Sequence, residues 1–204
     1  MTNKIGIIDY DAGNLMSVRN GLQALGFDAI VSGEPSELAD CGKLILPGVG
    51  AFPAAMAKLR ERGLDEFIIR EAERGKPLLG ICLGMQVLFS VGNEIERAAG
   101  LGLFSGEVRL IKTAYKLPHI GWNSLTFKKT TPITAGVTDG QFVYFVHSYM
   151  CECSDASDVA AVADYGEEVT AIVSKGNLYG CQFHPEKSGD VGLRIYKNFA
   201  QLPA

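Results

Sequence analysis

The chain has 204 residues, 47% of them hydrophobic, with 19 basic and 23 acidic side chains and a formal net charge of -4. This length and apolar content can fill one substantial core, which excludes a disordered chain and predicts a single domain over residues 1–204. The slight acidity, with no basic run or arginine cluster, argues against a nucleic-acid ligand, and no apolar stretch reaches membrane-spanning length.

In chain order, Met1-Thr2-Asn3-Lys4 leads into an apolar run with no signal-peptide region, so a cytoplasmic location is expected. Residues 5–9 read as a strand, 14–25 as an amphipathic helix closed by Gly26, and 28–31 as a second strand. Residues 43–46 form a third strand, 51–74 a helical region broken near Gly63, and 78–81 a fourth strand. This alternation with short connections predicts a mostly parallel central sheet flanked by helices. Beyond Gly100 the pattern turns to strands, over 107–111, 121–127, 141–150, 159–162, 170–174 and 178–183, with Gly140, Gly166 and Gly176 as turn signals. A last helix spans 189–200.

Chemistry gathers at the fourth strand. The run Pro77-Leu78-Leu79-Gly80-Ile81-Cys82-Leu83-Gly84-Met85-Gln86 reads as a strand that delivers one cysteine into a tight turn opening a helix. Glycines two positions before and after Cys82 leave a sharp turn unobstructed, the logic of the nucleophile elbow with sulfur in place of oxygen. A helix N-terminus favours a thiolate. Taken alone, a cysteine among apolar residues can equally be a core filler. A base comes from Tyr179-Gly180-Cys181-Gln182-Phe183-His184-Pro185-Glu186, where a carboxylate follows an imidazole by two positions. In extended backbone such residues share a face, and Pro185 keeps His184 out of the helical region. Glu186 can then hold the His184 tautomer whose other nitrogen faces Cys82.

Ligands of open α/β sheets bind beyond the carboxyl ends of the strands. Three turns fall there, at residues 9–14, at 47–52 and at Cys82. Backbone N–H groups of Val49 or Gly50, with that of Leu83, can converge on an oxyanion. Five cysteines, an odd number without an export signal, predict free thiols. Cys151 and Cys153 share a face of an extended segment, but no second Cys or His pair completes a zinc site, so neither metal nor cofactor is expected. Cys41 and Cys181 read as small core residues.

Taken jointly, Gly80-x-Cys82-x-Gly84-x-Gln86, Pro47-Gly48-Val49-Gly50 and His184-Pro185-Glu186 resemble the class I, triad-type glutamine amidotransferases. Five further segments narrow the likeness to the glutaminase subunits of imidazole glycerol phosphate synthase, over essentially the whole length. They are Ile7-Ile8-Asp9-Tyr10 with Gly13-Asn14-Leu15, residues 47–52, His119-Ile120-Gly121-Trp122-Asn123, Phe145-Val146-His147-Ser148-Tyr149, and residues 182–189. Asp11-Ala12 departs from the commonest pattern, close to the expected partner face.

The resemblance implies a flavodoxin-like α/β fold of the class I glutamine amidotransferase type, with additional antiparallel strands in the second half. It implies glutamine as substrate, hydrolysed by Cys82, His184 and Glu186 through a thioester, and bound by Gln86, Glu94, His147, Ser148 and Tyr149. It also implies a heterodimer in histidine biosynthesis, with Asn14, Trp122 and Lys187 facing a (β/α)8-barrel cyclase subunit. That cyclase adds the ammonia to a phosphoribosyl carboxamide, giving imidazole glycerol phosphate and an aminoimidazole carboxamide ribotide. On the residues alone three alternatives stay open: a sister amidotransferase with another acceptor, a cysteine hydrolase of a different class, and a noncatalytic flavodoxin-like binding module.

Overall fold

In the computed structural model residues 4–203 are described; Met1 to Asn3, the lead into the first strand, and Ala204 lie outside them. The first half runs β1 (Ile5–Ile8), α1 (Leu15–Ala24), β2 (Ala29–Ser32), α2 (Pro35–Ala39), β3 (Lys43–Gly48), α3 (Phe52–Glu61), α4 (Leu64–Glu73), β4 (Leu78–Cys82) and α5 (Leu83–Gln86). Then follow β5 (Phe89–Glu94), β6 (Glu96–Ala99), β7 (Phe104–Leu110), β8 (His119–Ser124), β9 (Thr126–Phe127), β10 (Phe142–His147) and β11 (Tyr149–Cys153). The chain ends with β12 (Val159–Asp164), β13 (Glu168–Lys175), β14 (Leu178–Cys181) and α6 (Gly189–Ala200).

The central sheet has the order β2-β1-β3-β4-β14-β13-β12-β9. Its first five strands are parallel neighbours and the last three pair antiparallel. Alternation along β1 and β3 builds two cores, because successive side chains leave opposite faces of a strand. Ile5, Ile7 and Ile45 pack with Val18 and Leu22 of α1 and Ile195, Tyr196 and Phe199 of α6. Ile8, Leu44 and Leu46 pack on the other face with Met56 and Leu59 of α3 and Phe67 and Ile68 of α4. The helix α1 stops where Gly26 turns to a φ of 82° and its N–H bonds the Gln23 carbonyl. Gly63, at φ 63°, separates α3 from α4. No helix among the described residues is long and apolar enough to cross a membrane.

Three local expectations are corrected. The region after Cys82 holds a single helical turn, and β5 and β6 follow it where no element is expected. They join β7 and β11 in a second sheet of order β11-β7-β5-β6. The expected strand over 141–150 divides at Ser148, because His147 pairs with His119 of β8 while Tyr149 pairs with Leu110 of β7. The polar pair His147-Ser148 interrupts its apolar run at that point, but no turn residue marks that two sheets share it. The short helix α2 also goes unmarked in the sequence. With Pro35 in its first turn and one buried residue, Leu38, it is too brief to show a period.

Candidate active site

The segments that follow the parallel strands β3, β4 and β14, together with β5 and the β10–β11 junction, border a cavity of about 300 Å³. Its lining includes Val49 and Gly50 after β3, Cys82, Leu83 and Gln86 after β4, Glu94 of β5, His147, Ser148 and Tyr149 at the β10–β11 junction, and His184 after β14. The structure therefore gathers the nucleophile candidate, the base candidate, the three oxyanion candidates and all five expected glutamine contacts into one concavity. Pro118 and Val146 also line it and carry no sequence signal of their own.

Cys82 is the strained point of the elbow. Its φ of 54° with ψ of -114° lies outside the regions L-residues ordinarily occupy, a conformation that persists only where the surroundings impose it. The flanking glycines act through space rather than torsion. A Cβ on Gly84 would overlap the Leu46 carbonyl, and one on Gly80 would stand 2.6 Å from the Gly84 carbonyl oxygen. Gly48, directly beside Cys82 in the β3–β4 register, is closed in by the Tyr10 hydroxyl and the Gly84 nitrogen. Because α5 is only four residues long, it offers free N–H groups at Leu83 and beyond but little of a macrodipole.

His184 enters from β14, the strand immediately beside β4, with Gly180 opposite Gly80 and Cys181 opposite Ile81. Its backbone is extended at φ -98° and ψ 101°, as the following proline requires. Its N–H bonds the Tyr144 carbonyl and its own carbonyl accepts from Ser188 Oγ at 2.7 Å. The partnership with Glu186 does not arise from strand alternation, since β14 ends at Cys181 and residues Pro185–Lys187 form a 3-10 turn. That turn brings Glu186 Oε1 to 2.9 Å from His184 Nδ1, while Glu186 Oε2 accepts from the buried Tyr196 hydroxyl at 3.1 Å.

Both partners are almost wholly buried, with side-chain exposures of 4% and 2%. Burial disfavours a charge on His184, but the side chains of Cys82 and Glu186 more than compensate and push its pKa up to about 9. Glu186 is likewise disfavoured as an anion by burial, yet the His184 and Tyr196 contacts bring it below the usual carboxylate range. With Nδ1 held by Glu186, His184 Nε2 is buried and has no hydrogen-bond partner among the described residues, while the nearby Cys82 sulfur raises the proton affinity of the ring.

The other two histidines form a neutral pair. His147 Nδ1 lies 2.8 Å from the Tyr149 carbonyl, so it must carry the proton there, and its Nε2 lies 3.1 Å from His119 Nδ1. His119 then donates to His147 and accepts from Asn123 at 3.3 Å. Burial pulls both imidazoles down to about 4. Both His147 nitrogens are thus engaged by protein, so it meets the cavity with its ring. Glu94 reaches the start of α3, where it accepts the Phe52 N–H at 2.7 Å. Gln86 donates to the Tyr149 carbonyl and to Gln182.

The expected partner-facing residues lie near this mouth. Exposed Trp122 packs edge-on against Tyr144 at 6.0 Å between centroids, and Lys187 Nζ stands 5.8 Å over the same Tyr144 ring. Asn14 caps the start of α1 beside the Gly13 loop, which borders Val49 and Gly50. Sequence reasoning missed Tyr144 and Gln182. Each belongs to a run that reads simply as strand.

A strained cysteine at a strand–helix elbow, with an imidazole fixed by a carboxylate, defines a cysteine-nucleophile amidohydrolase site on a doubly wound sheet. Residues 7–201 match the model of the class-I glutamine amidotransferases, and the chain belongs to that family, an enzyme family of the triad type. Among characterised relatives, the imidazole glycerol phosphate synthase subunit HisH of Bacillus cereus (strain G9842) is 50% identical over 195 residues, covering 96% of this chain and 93% of the relative. That of Lactococcus lactis subsp. lactis (strain IL1403) is 51% identical over 199 residues, covering 97% and 98%. Within the class the chain therefore takes its place in the HisH family. Among solved structures, PurLQS from Thermotoga maritima superposes with a TM-score of 0.78 at 23% identity over 98% of both chains. A further structure described as a glutamine amidotransferase gives 0.76 at 20% identity over 97% of this chain and 99% of the other. Both share the fold.

Proposed function

We propose that this chain is the ammonia-generating glutaminase of an imidazole glycerol phosphate synthase, with Cys82 as nucleophile, His184 as acid and base, and Glu186 as the orienting carboxylate. The sulfur of Cys82 forms a bond to the side-chain amide carbon of glutamine, and the carbonyl electron pair moves to oxygen. The N–H groups of Leu83 and of Val49 or Gly50 border that position. As the oxyanion collapses the C–N bond breaks, and His184 gives its proton so that the nitrogen leaves as ammonia. Water, deprotonated by His184, then attacks the thioester. The C–S bond breaks, glutamate departs and the proton returns to the sulfur–imidazole pair.

The observation that carries this reading is that Cys82 and His184, about a hundred positions apart in sequence, line one cavity with Glu186 bonded behind the imidazole. Gln86, Glu94, Ser148 and Tyr149 are assigned to the amino-acid end of glutamine, with the His147 ring as a wall. The narrow cavity suits a single amino acid better than a peptide.

Ammonia released into water would be protonated and diluted, so the reading includes a docked (β/α)8-barrel cyclase. Its seat is the exposed face of β8 and β10, where Ile120, Trp122 and Phe142 are each more than half exposed beside Tyr144 and Lys187. Solitary exposed aromatics are ordinary, but a cluster beside a catalytic mouth marks a contact surface. Asn14 is assigned to the same contact surface through the adjoining Gly13 loop, which shares a pocket with Val49 and Gly50. Five free cysteines suit a reducing cytoplasm.

The test is a glutaminase assay with and without the purified barrel cyclase and its ligand. Turnover should rise with the partner, and Cys82→Ala should abolish glutamine hydrolysis while ammonia-dependent synthesis by the complex survives. Equal turnover with and without the partner would overturn the coupling, and an active Cys82→Ala would overturn the nucleophile.

A further inference from the structure

We propose that Gln182 is a positioning residue for the nucleophile, its side-chain amide donating an N–H to the sulfur of Cys82 from an orientation locked by a backbone carbonyl. The inference rests on Cys82 being the nucleophile. Gln182 is fully buried, and its own N–H is tied to the Ala171 carbonyl of β13 at 2.9 Å. Its Nε2 lies 3.8 Å from Cys82 Sγ, long for a hydrogen bond but within reach of sulfur. The bond from Gln86 accounts for the amide oxygen of Gln182 but leaves its buried NH₂ facing the sulfur.

The orientation of the amide follows by logic rather than by choice. A peptide carbonyl can only accept, so the Gln86 group 3.0 Å from the Tyr149 oxygen must be its NH₂. The second hydrogen of that same NH₂ points to Gln182 at 3.1 Å, which therefore presents its oxygen. Gln182 is left with its own NH₂ toward Cys82. The Tyr149 carbonyl also receives the Nδ1–H of His147, so the anchor of the chain is itself held from two sides. The result is a directed chain of donors that runs from Gln86 through Gln182 to the sulfur, its orientation set by the Tyr149 carbonyl.

Such a donor has two physical effects. It favours the sulfur lone pair that carries charge, since hydrogen bonds to charged groups are stronger than those to neutral ones. It also restrains the sulfur's direction. Cys82 Sγ otherwise has the Val146 carbonyl at 4.0 Å, a group that can only accept and would draw a thiol proton the wrong way, away from His184. Gln182 approaches the sulfur as a donor and competes with that misdirected arrangement.

The separating substitution is Gln182→Glu, which keeps shape and the acceptor that Gln86 needs but presents an oxygen to the sulfur. Gln182→Met removes the polar chain altogether. In the complex with the barrel cyclase, kcat for glutamine hydrolysis should fall by about tenfold to a hundredfold in both variants, with KM within about twofold. Carbamidomethylation of Cys82 by iodoacetamide, followed peptide by peptide at fixed pH, should slow in parallel. A merely structural Gln182 would leave Cys82 labelling in the uncharged Gln182→Met variant at the wild-type rate, and that result, or a loss confined to KM, would overturn the proposal. Should either variant fail to assemble, the wild-type protein supplies the readout. The side-chain amide resonances of Gln182 in ¹⁵N-labelled protein should move when Cys82 is carbamidomethylated or replaced by Ala, and unmoved resonances would overturn the hydrogen bond. Wild-type activity that survives complete carbamidomethylation of Cys82 would instead remove the nucleophile assignment, so the two failures are distinguishable.

Discussion

The chain has three histidines, and two adjoining regions of the fold drive them in opposite directions. At the end of β14, His184 has an anion behind it in Glu186 and a sulfur before it in Cys82, and its pKa moves up despite burial. At the β8–β10 ladder, the hydrogen-bond partners of His119 and His147 among the described residues are each other, a backbone carbonyl and an Asn amide, and burial takes both down. His119 also lies between the rings of Phe145 and Tyr165, at centroid distances of 4.7 and 3.9 Å. The difference shows that burial alone does not decide what a histidine can do. A fixed carboxylate makes a proton carrier, and its absence makes a neutral strut.

The largest effect should come from breaking the contrast at its source. Glu186→Gln retains the shape beside His184 but removes the charge and permits the wrong tautomer, so kcat should drop by about a hundredfold or more with the fold intact. Steady-state kinetics at saturating glutamine check this, and unchanged turnover would refute the orienting role.

A smaller effect should appear in stability against pH. A histidine whose folded pKa lies below its unfolded value of about 6.5 takes up protons on unfolding, so stability falls as pH drops from about 6.5 toward about 4. His184 has the opposite sign. Its contribution is fully present below about 6.5 and is lost as pH rises through about 9. His119→Phe keeps a ring between Phe145 and Tyr165 but leaves His147 Nε2 unpaired, a cost of about 1–3 kcal/mol near neutral pH. It should make the acid limb shallower and leave the alkaline limb alone. Urea unfolding at a series of pH values measures both, and an unaltered acid limb would show that the pair does not titrate with unfolding.

The smallest effect should follow Tyr196→Phe. It removes one of the two hydrogen bonds to Glu186 while His184 remains, so turnover should fall by less than about tenfold. A loss as large as that of Glu186→Gln would mean that Tyr196, rather than the imidazole, governs the carboxylate.

Much of the architecture was legible locally. The βα alternation, the break at Gly63 and the helix over Gly189–Ala200 follow from periodicity and from glycine torsions, which act within a few residues. The Cys82 elbow was legible because the glycine–cysteine–glycine pattern is local, although the contact that demands Gly84 comes from Leu46 on the neighbouring strand β3. The region from Val87 to Ala99 was not. Its strands β5 and β6 exist because β7 and β11 offer them an edge, and no local pattern records that. Glu94, which no local pattern assigns to an element, lies at the end of β5 and bonds the start of α3.

By itself the sequence singled out Cys82, His184 and Glu186 as candidates for the chemistry, because nucleophile, imidazole and carboxylate need particular atoms in particular local turns. Only the tertiary structure decided that β14 lies beside β4, that a 3-10 turn rather than a strand joins His184 to Glu186, and that Gln182 faces the sulfur. The physical reason is range. Torsions and periodicity act over a few residues, whereas the neighbour of a strand and the polarity of a buried amide are set by packing and hydrogen bonding among segments far apart in the chain.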